Sequence, residues 1–186
     1  MSDNLTKILE ASKNYSKEFG KKSELSAPPL RKIAILTCMD ARLHPSVFAG
    51  LKEGDAHVIR NAGGRASLDA IRSLVISNKM LGTNEWYVIH HTECGLGSFT
   101  NETMVDNYSK EDENSSLKDN QEALKAAKEL DWLTFKDAAE SVTDDVKTIR
   151  NHPLVPTDVV IYGLLYNVKT GRLEEIEEAN IAGKPT

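Results

Sequence analysis

Residues 31–45 read RKIAILTCMDARLHP. The run from Ile33 to Thr37 is short, almost wholly apolar and rich in β-branched residues. That is the pattern of a strand covered on both faces, as in a parallel sheet. Chemistry follows at once: Cys38, Asp40 and Arg42 occupy alternate positions just past the apolar run. The stretch EWYVIHHTECGLG, residues 85–97, repeats the design with a second apolar run ending in His91 and Cys94.

Outward from these two runs, AHVIR at 56–60 reads as another strand, and NAGGR at 61–65 as a turn. A helix is predicted from Ser67 to Leu81, packing through Leu68, Ile71, Leu74, Val75 and Ile76. Strand, helix, strand is the α/β signature, with right-handed crossovers expected. Residues 158–168 predict a fourth strand, and KTG at 169–171 a hairpin into an edge strand at 172–176. Helices are predicted over 121–130 and 134–150, and the polar stretch 99–120 starts as loop. Leu5, Ile8, Leu9, Tyr15 and Phe19 make residues 4–19 an amphipathic helix. The linker KKSELSAPPL, whose prolines bar its continuation, follows. The expected fold is α/β, a mainly parallel central sheet of four or five strands flanked by helices. Residues 1–186 form one domain, with 1–30 as its N-terminal helix and linker.

The chain has 186 residues, 40% hydrophobic and 27% charged, with a net charge of -5. The acidic balance argues against a nucleic-acid partner. No apolar run approaches the roughly 20 residues that cross a bilayer. Charges interrupt the first 22 residues throughout, leaving no signal-peptide core. The expected location is cytoplasmic, where thiols stay reduced and serve metals or catalysis.

Cys38 and Cys94 are the only cysteines. Taken singly, each reads as a small buried hydrophobe. Together with His91 they fall at the carboxyl ends of two predicted strands, where open α/β sheets build ligand sites. Two thiolates and one imidazole suit zinc, and three protein ligands leave the open position of a catalytic site. His90 precedes His91 directly and points to the other face of its strand, as a packing or hydrogen-bonding residue. If the chain stays extended past Cys38, residues 38, 40 and 42 share one side. Arg42 would then keep Asp40 ionised and oriented. Asp40 could orient a hydroxide at the metal, or swing in as a fourth ligand in a closed state. An exposed Asp40–Arg42 ion pair without further role is the plainer alternative. Gly63 and Gly64 either bring backbone close to a substrate pocket or simply make a tight turn.

CMDARL at 38–43, RNAGG at 60–64 and HHTECG at 90–95 together resemble the β-class carbonic anhydrases. The likeness is nearest to their small archaeal-like branch, which includes hydrolases of carbonyl sulfide and carbon disulfide. The resemblance implies one zinc per subunit on Cys38, His91 and Cys94, with an Asp40–Arg42 dyad beside it. It also implies a homodimer or higher homo-oligomer, in which the N-terminal helix packs on a partner subunit. The favoured reaction is hydration of carbon dioxide to bicarbonate. The alternative is carbonyl sulfide hydrolysis on the same zinc, and a further one is a zinc or redox-sensing domain without turnover. Two thiolates would offset the zinc charge, so activity is expected to rise toward alkaline pH. Residues 101–120 are expected to form a variable loop that shapes the substrate entrance. Neither G-x-G-x-x-G nor G-x-x-x-x-G-K is present, which argues against a nucleotide site.

Overall fold

A computed structural model describes residues 2–109 and 120–186. Helix α1 spans Asp3–Lys17 and is capped by Ser2, whose side chain accepts from the Leu5 N–H. Strand β1 is Ile33–Cys38, helix α2 Pro45–Phe48, strand β2 Ala56–Asn61 and helix α3 Leu68–Lys79. Strand β3 is Glu85–His91, followed by α4 at Asn101–Ser109, α5 at Asn120–Glu129 and α6 at Ala138–Arg150. Strand β4 is Val160–Tyr166, β5 is Leu173–Glu175 and α7 is Glu177–Ala182.

The strands form one sheet in the order β2-β1-β3-β4-β5, parallel except for the antiparallel β5. Every residue of β1 is buried, as its unbroken apolar run requires. Ala34 and Leu36 of β1, Trp86 and Val88 of β3 and Ile161 of β4 face one core. Ile71 and Leu74 of α3, Val142, Val146 and Ile149 of α6 and Ala179 of α7 complete it. The chain runs from β1 outward to β2, then crosses back to β3 on the other side. The order therefore reverses between β1 and β3, and the crevice beyond their carboxyl ends is where such a sheet binds ligands.

Two expectations need correction. Residues 101–109 form α4 rather than loop, while 110–119 lie outside the described residues. The chain does not stay extended to Arg42: β1 ends at Cys38, and the Leu43 N–H closes a turn onto the Asp40 carbonyl at 3.0 Å. An aspartate at the first turn position favours this, because its side chain bonds the backbone two residues on. Arg42 N donates to Asp40 Oδ1 at 2.9 Å. Among the described residues no helix is long and apolar enough to cross a membrane.

Candidate metal centre

Cys38 ends β1, His91 ends β3, and Cys94 follows three residues later, at the start of a 3₁₀ turn over Gly95–Gly97. On a flat sheet Cys38 and His91 would face opposite ways, because the β1–β3 register pairs Thr37 with Ile89. They converge because both strands stop there and the chain turns. One ligand atom from each of the three residues lies within 4.8 Å of the other two.

The donor set fits a tetrahedral zinc. Cys38 Sγ and Cys94 Sγ are 4.0 Å apart. Two sulfurs each 2.3 Å from a tetrahedral zinc would be separated by about 3.8 Å. Both cysteines are free thiols. His91 is fully buried, and its Nδ1 lies 2.9 Å from the Thr92 carbonyl. A carbonyl only accepts, so Nδ1 carries the proton and Nε2 presents its lone pair to the cysteines. That buried Nε2 has no hydrogen-bond partner, which fits a nitrogen that could ligate a metal.

Electrostatics prepare the sulfurs. Hydrogen bonding from Cys94 draws the Cys38 thiol below its ordinary value, against burial, with help from the N–H groups of Asp40 and Gly63. The same sulfur contact, with burial, holds Cys94 above its ordinary value.

Asp40 stands beside this group, its Oδ2 3.8 Å from His91 Nε2. Arg42 grips it with two donors, Nε to Oδ1 at 3.0 Å and Nη2 to Oδ2 at 2.7 Å. These bonds, partly opposed by burial, hold the Asp40 carboxyl well below the usual carboxylate range. The turn thus brings the two residues together in place of the extended segment that alternation suggested. Arg42 Nη2 is itself fixed by the Glu93 carbonyl at 3.0 Å.

The two glycines divide the roles anticipated for them. Gly63, at φ 76°, lines a cavity of about 260 Å³ with Cys38, Met39, Asp40, Ala62, Cys94, Gly95, Leu96 and Phe99. Gly64, at φ 72°, presses on the strand behind it: a Cβ there would lie 2.9 Å from Thr37 C and from Cys38 N.

Arg60 was missed by sequence reading. Its Nε donates to the Cys38 carbonyl at 2.9 Å and its Nη2 to the Asp40 carbonyl at 2.8 Å, bracketing the turn. The pairing of Thr37 with Arg60 across β1 and β2 is what places it there. His90 sits on the opposite face from His91, fully buried, with its ring stacked on Phe135.

A family model described as carbonic anhydrase matches residues 33–173. The chain is 38% identical over 159 residues to beta-carbonic anhydrase 1 of Mycobacterium tuberculosis, covering 84% of this chain and 89% of that protein. It is 34% identical over 182 residues to a carbon disulfide hydrolase of Acidithiobacillus thiooxidans, covering 91% and 89%. Among solved structures, a carbonic anhydrase from Glaciozyma antarctica superposes with a TM-score of 0.84 at 44% identity, over 95% of this chain and 99% of that one.

Proposed function

The chain belongs to the β-carbonic anhydrase family and is an enzyme of that lyase type, and from that premise we propose that it hydrates carbon dioxide reversibly to bicarbonate. One zinc ion per subunit would be held by Cys38, His91 and Cys94. The observation that carries this reading is the convergence of two free sulfurs and one unpartnered, tautomer-fixed imidazole nitrogen at one point. When bound there, zinc would supply a Lewis acid that lowers the pKa of water and makes it a better nucleophile.

The chain's own residues do the rest. Asp40, kept ionised by Arg42, can only accept a hydrogen bond. At the cavity wall it would accept a hydrogen bond from the attacking water and so turn the oxygen lone pair toward the substrate carbon. Met39, Ala62, Leu96 and Phe99 give the cavity an apolar lining suited to a small, linear, uncharged molecule.

That lining also supports a second reading, hydrolysis of carbonyl sulfide or a similar sulfur analogue, as does the likeness to carbon disulfide hydrolases. The test is kcat/KM for carbon dioxide, carbonyl sulfide and carbon disulfide on one zinc-loaded preparation. A value highest for carbon dioxide supports the first reading, and one highest for a sulfur gas replaces it. Zinc binding without turnover of any of the three would leave a sensing domain.

Residues 1–186 serve as one zinc domain in this reading, and a cytoplasmic location would keep both thiols reduced. A homodimer or larger assembly is part of it too. No residue of α1 is buried, and Leu5, Ile8 and Leu9 are exposed along it. The sheet face away from the core carries an apolar groove of about 300 Å³ lined by Ile33, Ile35, Ile89 and Leu164 among others. A partner subunit would cover both. Sedimentation of the intact chain and of one lacking residues 1–19 tests this, with a smaller assembly expected for the truncated chain.

A further inference from the structure

Behind the three ligand candidates lies a second polar cluster that the proposed chemistry does not use. Asp145, on the buried face of α6, is the one carboxylate among the buried polar groups of the described residues. Around it on that face are Val142, Val146 and Ile149, all core residues. Arg65 reaches it with two N–H donors, Nε to Oδ2 at 2.8 Å and Nη2 to Oδ1 at 3.0 Å. His90 Nε2 lies 3.1 Å from Oδ2, without a hydrogen bond between them. The Phe135 ring stacks on His90 with centroids 5.8 Å apart and lies 5.6 Å from the Arg65 guanidinium carbon.

A buried ion pair of this kind is a poor stabiliser, because desolvation offsets the attraction and apolar replacements are often as stable. Its placement is more telling. His90 is bonded directly to His91. Arg65 directly follows Gly63 and Gly64, the turn that presses on Thr37 and Cys38 and offers the Gly63 N–H to the Cys38 sulfur. Asn61 locks the same turn: its Oδ1 accepts from Arg65 N and its Nδ2 donates to the Arg65 carbonyl, both at 2.8 Å. One carboxylate therefore ties the end of β3 and the turn after β2 to a helix eighty residues away from Arg65 in the chain. An apolar side chain at 145 would fill the space without holding these two segments in register.

We infer that Asp145 is a positioning residue for the metal centre: through His90 and Arg65 it fixes the direction from which His91 meets Cys38 and Cys94. The inference rests on the zinc reading above.

The test compares the wild-type chain with Asp145→Asn and Asp145→Glu. The measurements are zinc affinity, by competition with a chromogenic chelator, and the visible absorption of the cobalt-substituted proteins. Asp145→Asn is expected to bind zinc about 10–100-fold more weakly, the usual cost of losing support behind a metal ligand, and to shift the cobalt bands. Asp145→Glu, which keeps the carboxylate, should recover part of both. A purely structural role would lower the Tm of Asp145→Asn but leave zinc affinity and cobalt bands as in wild type, and that result overturns the inference. Should Asp145→Asn fail to fold, His90→Phe is read the same way. It keeps a ring against Phe135 and loses the contact to Asp145, so unchanged affinity and bands again overturn the inference. A wild-type chain that holds no zinc instead sinks the functional reading itself, so the two failures are distinguishable.

Discussion

Between Ile33 and Gly97 the chain lays down three strands, and Cys38, Asp40, His91 and Cys94 all lie at or just past the end of one. Between Asn101 and Ala182 the described residues form four helices and two strands and add nothing to that cluster. What this second region adds is a floor, chiefly α6, whose Val142, Val146 and Ile149 pack under the sheet and whose Asp145 reaches up to Arg65 and His90. The contrast separates two tasks. Supplying ligand atoms is local and needs only strand ends. Fixing their mutual direction is long-range and needs a second region to hold those ends.

The largest effect should come from the first region. Cys38→Ser is expected to reduce zinc from one equivalent per chain to a small fraction, with carbon dioxide hydration lost alongside. Metal analysis after gel filtration decides it, and a full equivalent of zinc in the variant would show that Cys38 is no ligand. Asp40→Asn should behave differently. It keeps the shape but can donate as well as accept, so zinc should stay while kcat/KM falls by about 10²–10³-fold, the range for losing one preorganised hydrogen bond at the reacting oxygen. Parallel loss of metal and activity would assign Asp40 to the ligand set instead.

The second region answers to pH. Arg65 and His90 hold the Asp145 carboxyl below its ordinary value although burial works the other way. A depressed carboxylate stabilises the fold fully above its unfolded value, about 3.9, and that contribution fades as pH falls through its folded value. Removing one partner of a buried pair costs about 3–5 kcal/mol. The Tm of metal-free wild type should therefore exceed that of Asp145→Asn by a steady margin from pH 7 to about 4, narrowing below. A margin that already changes between pH 7 and 5 would show that the Asp145 carboxyl is not the group that sets it.

How far each region could be read from sequence follows the same division. The strands β1 and β3 were legible because each is a continuous apolar run, and the opposite facing of His90 and His91 follows from strand alternation alone. Helix α4 was not, because Met104, Val105 and Tyr108 are its only large apolar residues and none of the helix is buried. Helix α7 was not legible either, although Glu177 and Glu178 suit a first helical turn, where the backbone N–H groups favour negative charge. Asp40 and Arg42 were paired correctly for the wrong geometric reason, since a turn and not an extended segment brings them together. Asp145 carried a faint signal: it lies three residues after Val142 and four before Ile149, on the apolar face of α6. Its importance could not be read locally, because Arg65 is a sequence separation of eighty residues away.

The finest distinction lies within the turn that joins the regions. Gly63 and Gly64 both have positive φ, so an alanine at either carries the cost of a left-handed conformation, about 1–3 kcal/mol. Their surroundings differ. A Cβ on Gly63 would meet the Leu96 Cδ2, the end of a side chain that can turn away, and Arg65 Cγ at 3.1 Å. A Cβ on Gly64 would meet only backbone, Thr37 C and Cys38 N at 2.9 Å, and β1 is too deeply buried to move aside. Gly64→Ala should therefore lower Tm further than Gly63→Ala and should also weaken zinc binding, because the atom it pushes belongs to Cys38. Gly63→Ala should keep zinc and instead narrow the cavity, raising KM more than it lowers kcat. If Gly63→Ala proved the more damaging to metal affinity, the N–H it offers to the Cys38 sulfur would matter more than the fit of the turn against the strand.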